Sequence, residues 1–156
     1  MTSDVTVRPA RPEEAGVLTE LVMRSKAYWG YSEEFMDRCR AELTIDPDHM
    51  LPSRMTVAES EGRLLAVATL EGTPAPPGDG ELGMLFVEPE VIGRGVGSLL
   101  FRHIADLARG LGFRSVELDA DPHAEPFYEA MGAVRVGVVA SGSIAGRTLN
   151  RYAFAL

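Results

Sequence analysis

Cysteine is nearly absent from this chain. Cys39 is the only one among 156 residues, so no disulfide can form within it. A lone cysteine suits a reducing compartment, and the protein is expected to be cytoplasmic. Histidine is scarce too. The three present are scattered, without the spacing of a metal-ligand set, so no metal is expected. No hydrophobic run approaches the length of a membrane helix, and residues 1–8 lack the apolar core of a secretory signal. Positive charge is in short supply, with 15 Lys and Arg against 23 Asp and Glu, a net charge of −8. Such a surface repels phosphates, which argues against a nucleic-acid or anionic-membrane partner and is compatible with a cationic or amine ligand. The remaining composition, 46% hydrophobic and 24% charged, fits one globular domain over residues 1–156.

The most informative stretch is residues 81–100. Leu82 to Val87 is a short apolar run suited to a buried strand. A proline-containing connection follows. Gly93, Gly95 and Gly97 then alternate ahead of a helical pattern carried by Leu99, Leu100, Phe101, Ile104, Leu107, Ala108 and Leu111. Glycines at a helix entrance let backbone approach a ligand, and they turn consecutive N–H groups into one concavity at the positive end of the helix dipole. The predicted guest is a phosphate, held by the amides of Ile92, Gly93, Arg94, Gly95, Val96, Gly97 and Ser98, with the Arg94 side chain either adding a charge or pointing into solvent. A P-loop would need a lysine before Ser98, and the residue there is Gly97. A dinucleotide fingerprint would need G-x-G-x-x-G directly after the strand. Asp119 lies at a suitable distance for it, but the spacing is G-x-G-x-G and five residues separate Val87 from Gly93.

Around this stretch, Val5 to Arg8 reads as a strand, and a helix starts near Pro12 and runs to about Lys26. Ser32 caps a second helix that carries Phe35, Met36, Cys39 and Leu43. Between the two helices stand Tyr28, Trp29 and Tyr31, either a hydrophobic plug or the wall of an acceptor pocket, since aromatic faces accept cations. Residues 55–59 and 63–71 form a hairpin about Glu61-Gly62. After the glycine turn, a helix over about residues 98–109, a strand over 114–119, a short helix ending at Gly132, and strands over 133–140 and 148–156 complete the order β-α-α-β-β-β-α-β-α-β-β. Ser141, Ser143 and Arg147 precede the last strand. Small polar residues there suit either contact with an acceptor or a tight turn.

Two segments resemble motifs of the GNAT N-acetyltransferases. Val87-Glu-Pro-Glu-Val-Ile-Gly-Arg-Gly-Val-Gly97 is similar to motif A, Gln/Arg-x-x-Gly-x-Gly/Ala, with Gly95 and Gly97 on the small positions and Ile92 departing from the Gln/Arg position. Ala124-Glu-Pro-Phe-Tyr-Glu-Ala-Met-Gly132 is similar to motif B, Ala-x-x-Phe-Tyr-x-x-x-Gly, about 30 residues on. The resemblance implies an α/β (α+β) fold with a mixed, mostly antiparallel sheet of six to seven strands and about four helices. It implies acetyl-CoA as cofactor, a small-molecule amine as acceptor, direct attack in a ternary complex, and a possible homodimer. It assigns the oxyanion donor to backbone N–H groups of Leu85, Phe86 and Val87 on a splayed strand, the thiolate's proton source to Tyr128, and the base to Glu81. A non-catalytic acyl-CoA sensor on the same fold and a protein N-acetyltransferase remain open as alternatives.

Overall fold

The computed structural model describes residues 4–142 and 144–156. Its centre is a seven-stranded sheet in the order β1-β2-β3-β4-β5-β7-β6. The strands are β1 (Thr6–Pro9), β2 (Met55–Ser60), β3 (Arg63–Glu71), β4 (Asp79–Val87), β5 (Ser115–Ala120), β6 (Val134–Ala140) and β7 (Thr148–Ala155). The helices are α1 (Ala15–Ala27), α2 (Glu33–Leu43), α3 (Val96–Leu111) and α4 (Glu125–Ala130). The expected order and fold class are therefore observed. Boundaries shift slightly: β4 starts at Asp79 and α3 at Val96, and α3 passes through Gly110 to end against Gly112.

Every neighbouring pair is antiparallel except β4 and β5. A parallel pair needs a long crossover, and α3 supplies it. Helices cover both faces of the sheet. On one face Leu100, Phe101, Ile104 and Ala108 of α3 pack with Ala66, Ala68, Leu82, Val116 and Leu118. On the other, Leu18, Leu21 and Val22 of α1 pack with Val57 and Val67. β3, at the centre, is buried from Leu65 to Leu70 on both faces, which is why it reads as a continuous apolar run. Cys39 is buried on α2, as a core residue should be.

The sheet is least continuous at the parallel pair. β4 and β5 are in register only at Asp79–Ser115, Gly80–Val116 and Glu81–Glu117. Beyond Glu81 the strands part, and residues 82–87 lose their β5 neighbour. β4 also carries a bulge: Thr69 pairs Met84 and Leu70 pairs Leu82, so Gly83 is skipped.

Candidate active-site cleft

The gap between β4 and β5 opens a cleft of about 840 Å³. Its lining comes from both faces of the sheet. Ile92, Gly93, Gly95, Gly97, Ser98, Phe127 and Tyr128 border it on the α3 and α4 side. Lys26, Trp29, Glu42, Glu71, Glu81 and Asp119 border it on the other. Leu82, Leu85 and Val87 pack with the α3 cluster, while Met84 and Phe86 pack with the α1 cluster, so β4 itself separates two chemically different halves.

The α3 half is built from backbone. Gly93 and Gly95 have φ of 83° and 85°, and Gly95 is the N-cap of α3. A Cβ in that left-handed region is strained, so glycine is required where the chain turns into the helix. The amides of Ile92 and Arg94 are spent inside the turn, on the carbonyls of Pro89 and Val91. The first-turn amides of Val96, Gly97 and Ser98 are the ones helix geometry leaves unpaired. The predicted set of seven amides therefore narrows. Val96 contributes backbone alone, because its side chain is buried in the core. Arg94 is exposed and does not border the cleft. At Gly97 a Cβ would meet the Phe127 ring at 3.4 Å, so the turn is seated directly against the cleft wall.

The free edge of β4 faces the gap. The Glu88 amide bonds back to Leu65 of β3, so by strand alternation the amides of Val87 and Leu85 point away from β3. Val87 donates to the Ser25 hydroxyl at 3.3 Å. Of the three residues expected to supply an oxyanion donor, Phe86 thus points its amide toward β3, Val87 has a partner from α1, and Leu85 addresses the gap.

Tyr128 is 7% exposed and borders the cleft, and its hydroxyl takes no hydrogen bond among the described residues. Burial, with the Asp121 carboxylate adding to it, pushes the phenol well above its ordinary value. It stays protonated throughout the neutral range.

The other half is built from side chains. Glu81 stands where β4 and β5 part. Both its oxygens accept from Arg151 of β7, at 2.6 and 3.1 Å. Arg151 also donates to Glu117 at 3.1 Å and Asp119 at 2.6 Å, so it fastens the fork of the two strands. Glu81, expected as the base, thus has both carboxylate oxygens engaged by one guanidinium.

Asp121, after β5, gathers three distant segments. It accepts from the Lys26 ammonium at 2.6 Å and the Tyr31 hydroxyl at 2.8 Å, and Arg147 approaches to 3.6 Å. Burial pushes the Asp121 carboxyl up. The Lys26 ammonium, the His123 amide and the Tyr31 hydroxyl together more than reverse this and hold it well below the usual carboxylate range. The Tyr31 phenol is pushed far up, by burial first and then by its bond to Asp121.

The three aromatics expected at an acceptor wall divide. Trp29 borders the cleft and stacks on His123 with ring centroids 5.1 Å apart. Tyr31 stacks on Phe35 at 4.2 Å, bonds Asp121 and does not border the cleft. Tyr28 is 53% exposed and does not border the cleft. Ser141 acts in a turn, its amide bonded to Arg147 and its hydroxyl accepting from Ile144. Ser143 lies outside the described residues. Sequence reasoning missed Lys26, Asp121, Arg147 and Arg151 as a group. They come from four segments, and no local spacing joins them. Among the described residues no cluster of metal ligands occurs and no helix is long and apolar enough to cross a membrane.

A sheet forked at one parallel pair, with a helix N-terminus on one side of the fork and a buried tyrosine beside it, defines a protein built to hold an anionic ligand along an open strand edge. Residues 18–133 match the model of the acetyltransferase (GNAT) family, and the chain belongs to that family. Among curated proteins none matches it. Among solved structures, a GCN5-related N-acetyltransferase from Rhodopseudomonas palustris is 26% identical, with a TM-score of 0.79 over 97% of this chain and 95% of that one. The PaiA N-acetyltransferase from Thermoplasma acidophilum, in complex with coenzyme A, is 17% identical, with a TM-score of 0.78 over 97% and 99% of the two chains. N-acetylglutamate synthase from Neisseria gonorrhoeae, with coenzyme A and L-arginine, is 20% identical, with a TM-score of 0.68 over 97% of this chain and 33% of that one.

Proposed function

We infer that this protein transfers an acetyl group from acetyl-CoA to a primary amine of a small molecule, by direct attack in a ternary complex. The observation that carries the reading is the single cleft joining the α3 amide turn, the free edge of β4 and Tyr128. The residues fit the cofactor. Val96, Gly97 and Ser98 present amides to a diphosphate, and Gly97 leaves the space beside Phe127 open. The open β4 edge suits an extended amide-bearing arm. Acetyl-CoA supplies the activated acyl group.

The Leu85 amide is assigned to the developing oxyanion. Tyr128 is assigned to protonate the departing thiolate, a role for which a phenol kept neutral is suited. The net negative charge and the carboxylates on the α1 side of the cleft support an amine acceptor entering from that face. Two features favour a second reading, a non-catalytic acyl-CoA sensor: Ile92 in place of a polar motif residue, and the occupied Glu81.

Thermal unfolding with acetyl-CoA, coenzyme A and NADH tests the cofactor, since a ligand that binds only the native state raises Tm. Both coenzyme A species should raise it and NADH should not. Thiol release on adding primary amines then separates the enzyme from the sensor, which binds but releases nothing above background.

A further inference from the structure

Glu71, the last residue of β3, lies in the cleft on the same side as Glu81. Its position depends on the β4 bulge. A Cβ built on Gly83 would collide with the Glu71 carboxylate, lying 2.6 Å from Cδ, and would stand 2.7 Å from the Thr69 hydroxyl. The carboxylate therefore occupies the place that a β4 side chain would fill. It rests on the backbone of the strand whose Leu85 amide faces the gap. Its one hydrogen bond among the described residues is a long one, from the Thr69 hydroxyl at 3.4 Å, and it has no ion pair.

The neighbouring carboxylates are differently placed. Glu81 and Asp119 share Arg151, and Asp121 has Lys26. Glu42, which also lacks an ion pair among the described residues, sits on α2 against Gly142 of the β6–β7 connection, 3.4 Å from a Cβ built there. Glu71 is thus the carboxylate resting against β4 with acceptor capacity to spare.

We propose that Glu71, in place of Glu81, receives the acceptor amine as an ammonium ion and takes its proton, and that the acceptors are cationic amines without a carboxylate next to the nitrogen. This rests on the acetyl-transfer reading. The ammonium gives one proton to Glu71, and the freed nitrogen pair forms the C–N bond at the thioester carbon. As the C–S bond breaks, the thiolate takes the Tyr128 proton, and the tyrosine regains one from the new amide nitrogen. Glu71 returns its proton to water. The products are the acetamide, the free thiol and one proton. A carboxylate beside the nitrogen would face Glu71 and Glu81 at once and be repelled.

The test compares the wild type with Glu71→Gln and Gly83→Ala, using benzylamine, 1,3-diaminopropane and phenylalanine as probes. Gly83 has no left-handed φ, so alanine suits its backbone and acts by displacing the flexible Glu71 side chain. In the wild type the first two amines should release thiol, phenylalanine should be at least about 10-fold poorer, and kcat/KM should fall toward acid pH as a carboxylate protonates. Glu71→Gln should lower kcat/KM by about 10²-fold and abolish that acid limb. Gly83→Ala should lower it by roughly 10-fold or more with the carboxylate retained but misplaced. Coenzyme A affinity should stay within about two-fold in Glu71→Gln, because Glu71 lies off the α3 side and off the β4 edge. A Glu71→Gln profile that overlays the wild type, a preference for phenylalanine, or coenzyme A binding with no thiol release from any probe would overturn the assignment. Failure of the wild type to bind acetyl-CoA would overturn both this and the acetyl-transfer reading.

Discussion

The two halves of the cleft are made by opposite means. On the α3 side the groups left unpaired are backbone amides of one helix turn, Val96 to Ser98, and the side chains nearby serve mainly as walls. On the α1 side the facing groups are side chains drawn from α1, α2, β3, β4, β5 and the segments around them, and Lys26, Trp29, Glu81 and Asp119 each have a partner from elsewhere in the chain. An anion site on a helix N-terminus needs only consecutive residues. The α1 side depends on charges whose positions are set by long-range pairs such as Lys26–Asp121 and Arg151–Glu81.

The largest effect is expected at Tyr128, between the halves. Tyr128→Phe should reduce turnover by roughly 10²-fold or more with coenzyme A affinity little changed. Near-normal turnover, measured by thiol release, would remove the hydroxyl from the mechanism. On the α3 side, Gly95→Val places a branched side chain at a left-handed N-cap. Coenzyme A binding, followed by calorimetry, should weaken by on the order of 10-fold through a backbone penalty of about 1–2 kcal/mol. Equal affinity would show that the turn does not touch the cofactor.

On the α1 side, Asp121→Asn should cost about 2 kcal/mol of stability by leaving Lys26 without its partner, lowering Tm by about 4–8 °C. The pH dependence has a definite sign. The Asp121 carboxyl is depressed in the folded state, so its contribution is present in full above the unfolded carboxylate value of about 3.9 and is lost as pH falls through its lower folded value. The gap between wild-type and Asp121→Asn urea midpoints should be steady from about pH 8 to 5 and should close in stronger acid. A gap that widens below pH 4 would contradict the pairing. The smallest effect is expected at Glu81. Glu81→Gln should change kcat/KM by a few-fold at most, and a loss of about 10²-fold would restore Glu81 as the base.

The legible parts of the molecule were those with local causes. The three glycines ahead of an apolar helical period give the amide turn, and the Phe127-Tyr128 pair before Gly132 lies where the motif resemblance puts it. The aromatic cluster was only half legible: its composition marks Tyr28, Trp29 and Tyr31 alike, yet rotation along one turn leaves Tyr28 in solvent and sends Trp29 to the cleft. At Glu81 a strand-start glutamate gives no hint of Arg151, 70 residues away. Glu71 and Gly83 carry no pattern at all. Their relation exists only because a bulge shifts the β3–β4 register, and register is not written in any short window.

The three-residue overlap of β4 with β5 has a mechanical consequence. Within the sheet, β1–β4 and β5–β7 are two plates stitched together at residues 79–81 and 115–117, with Arg151 as a rivet across the seam. A ligand laid along the open edge of β4 extends the stitching from outside the chain. The Leu85 amide then becomes a natural gauge. It should exchange its hydrogen readily in the free protein and slowly once the seam is filled, so that closing of the seam can be timed at a single position.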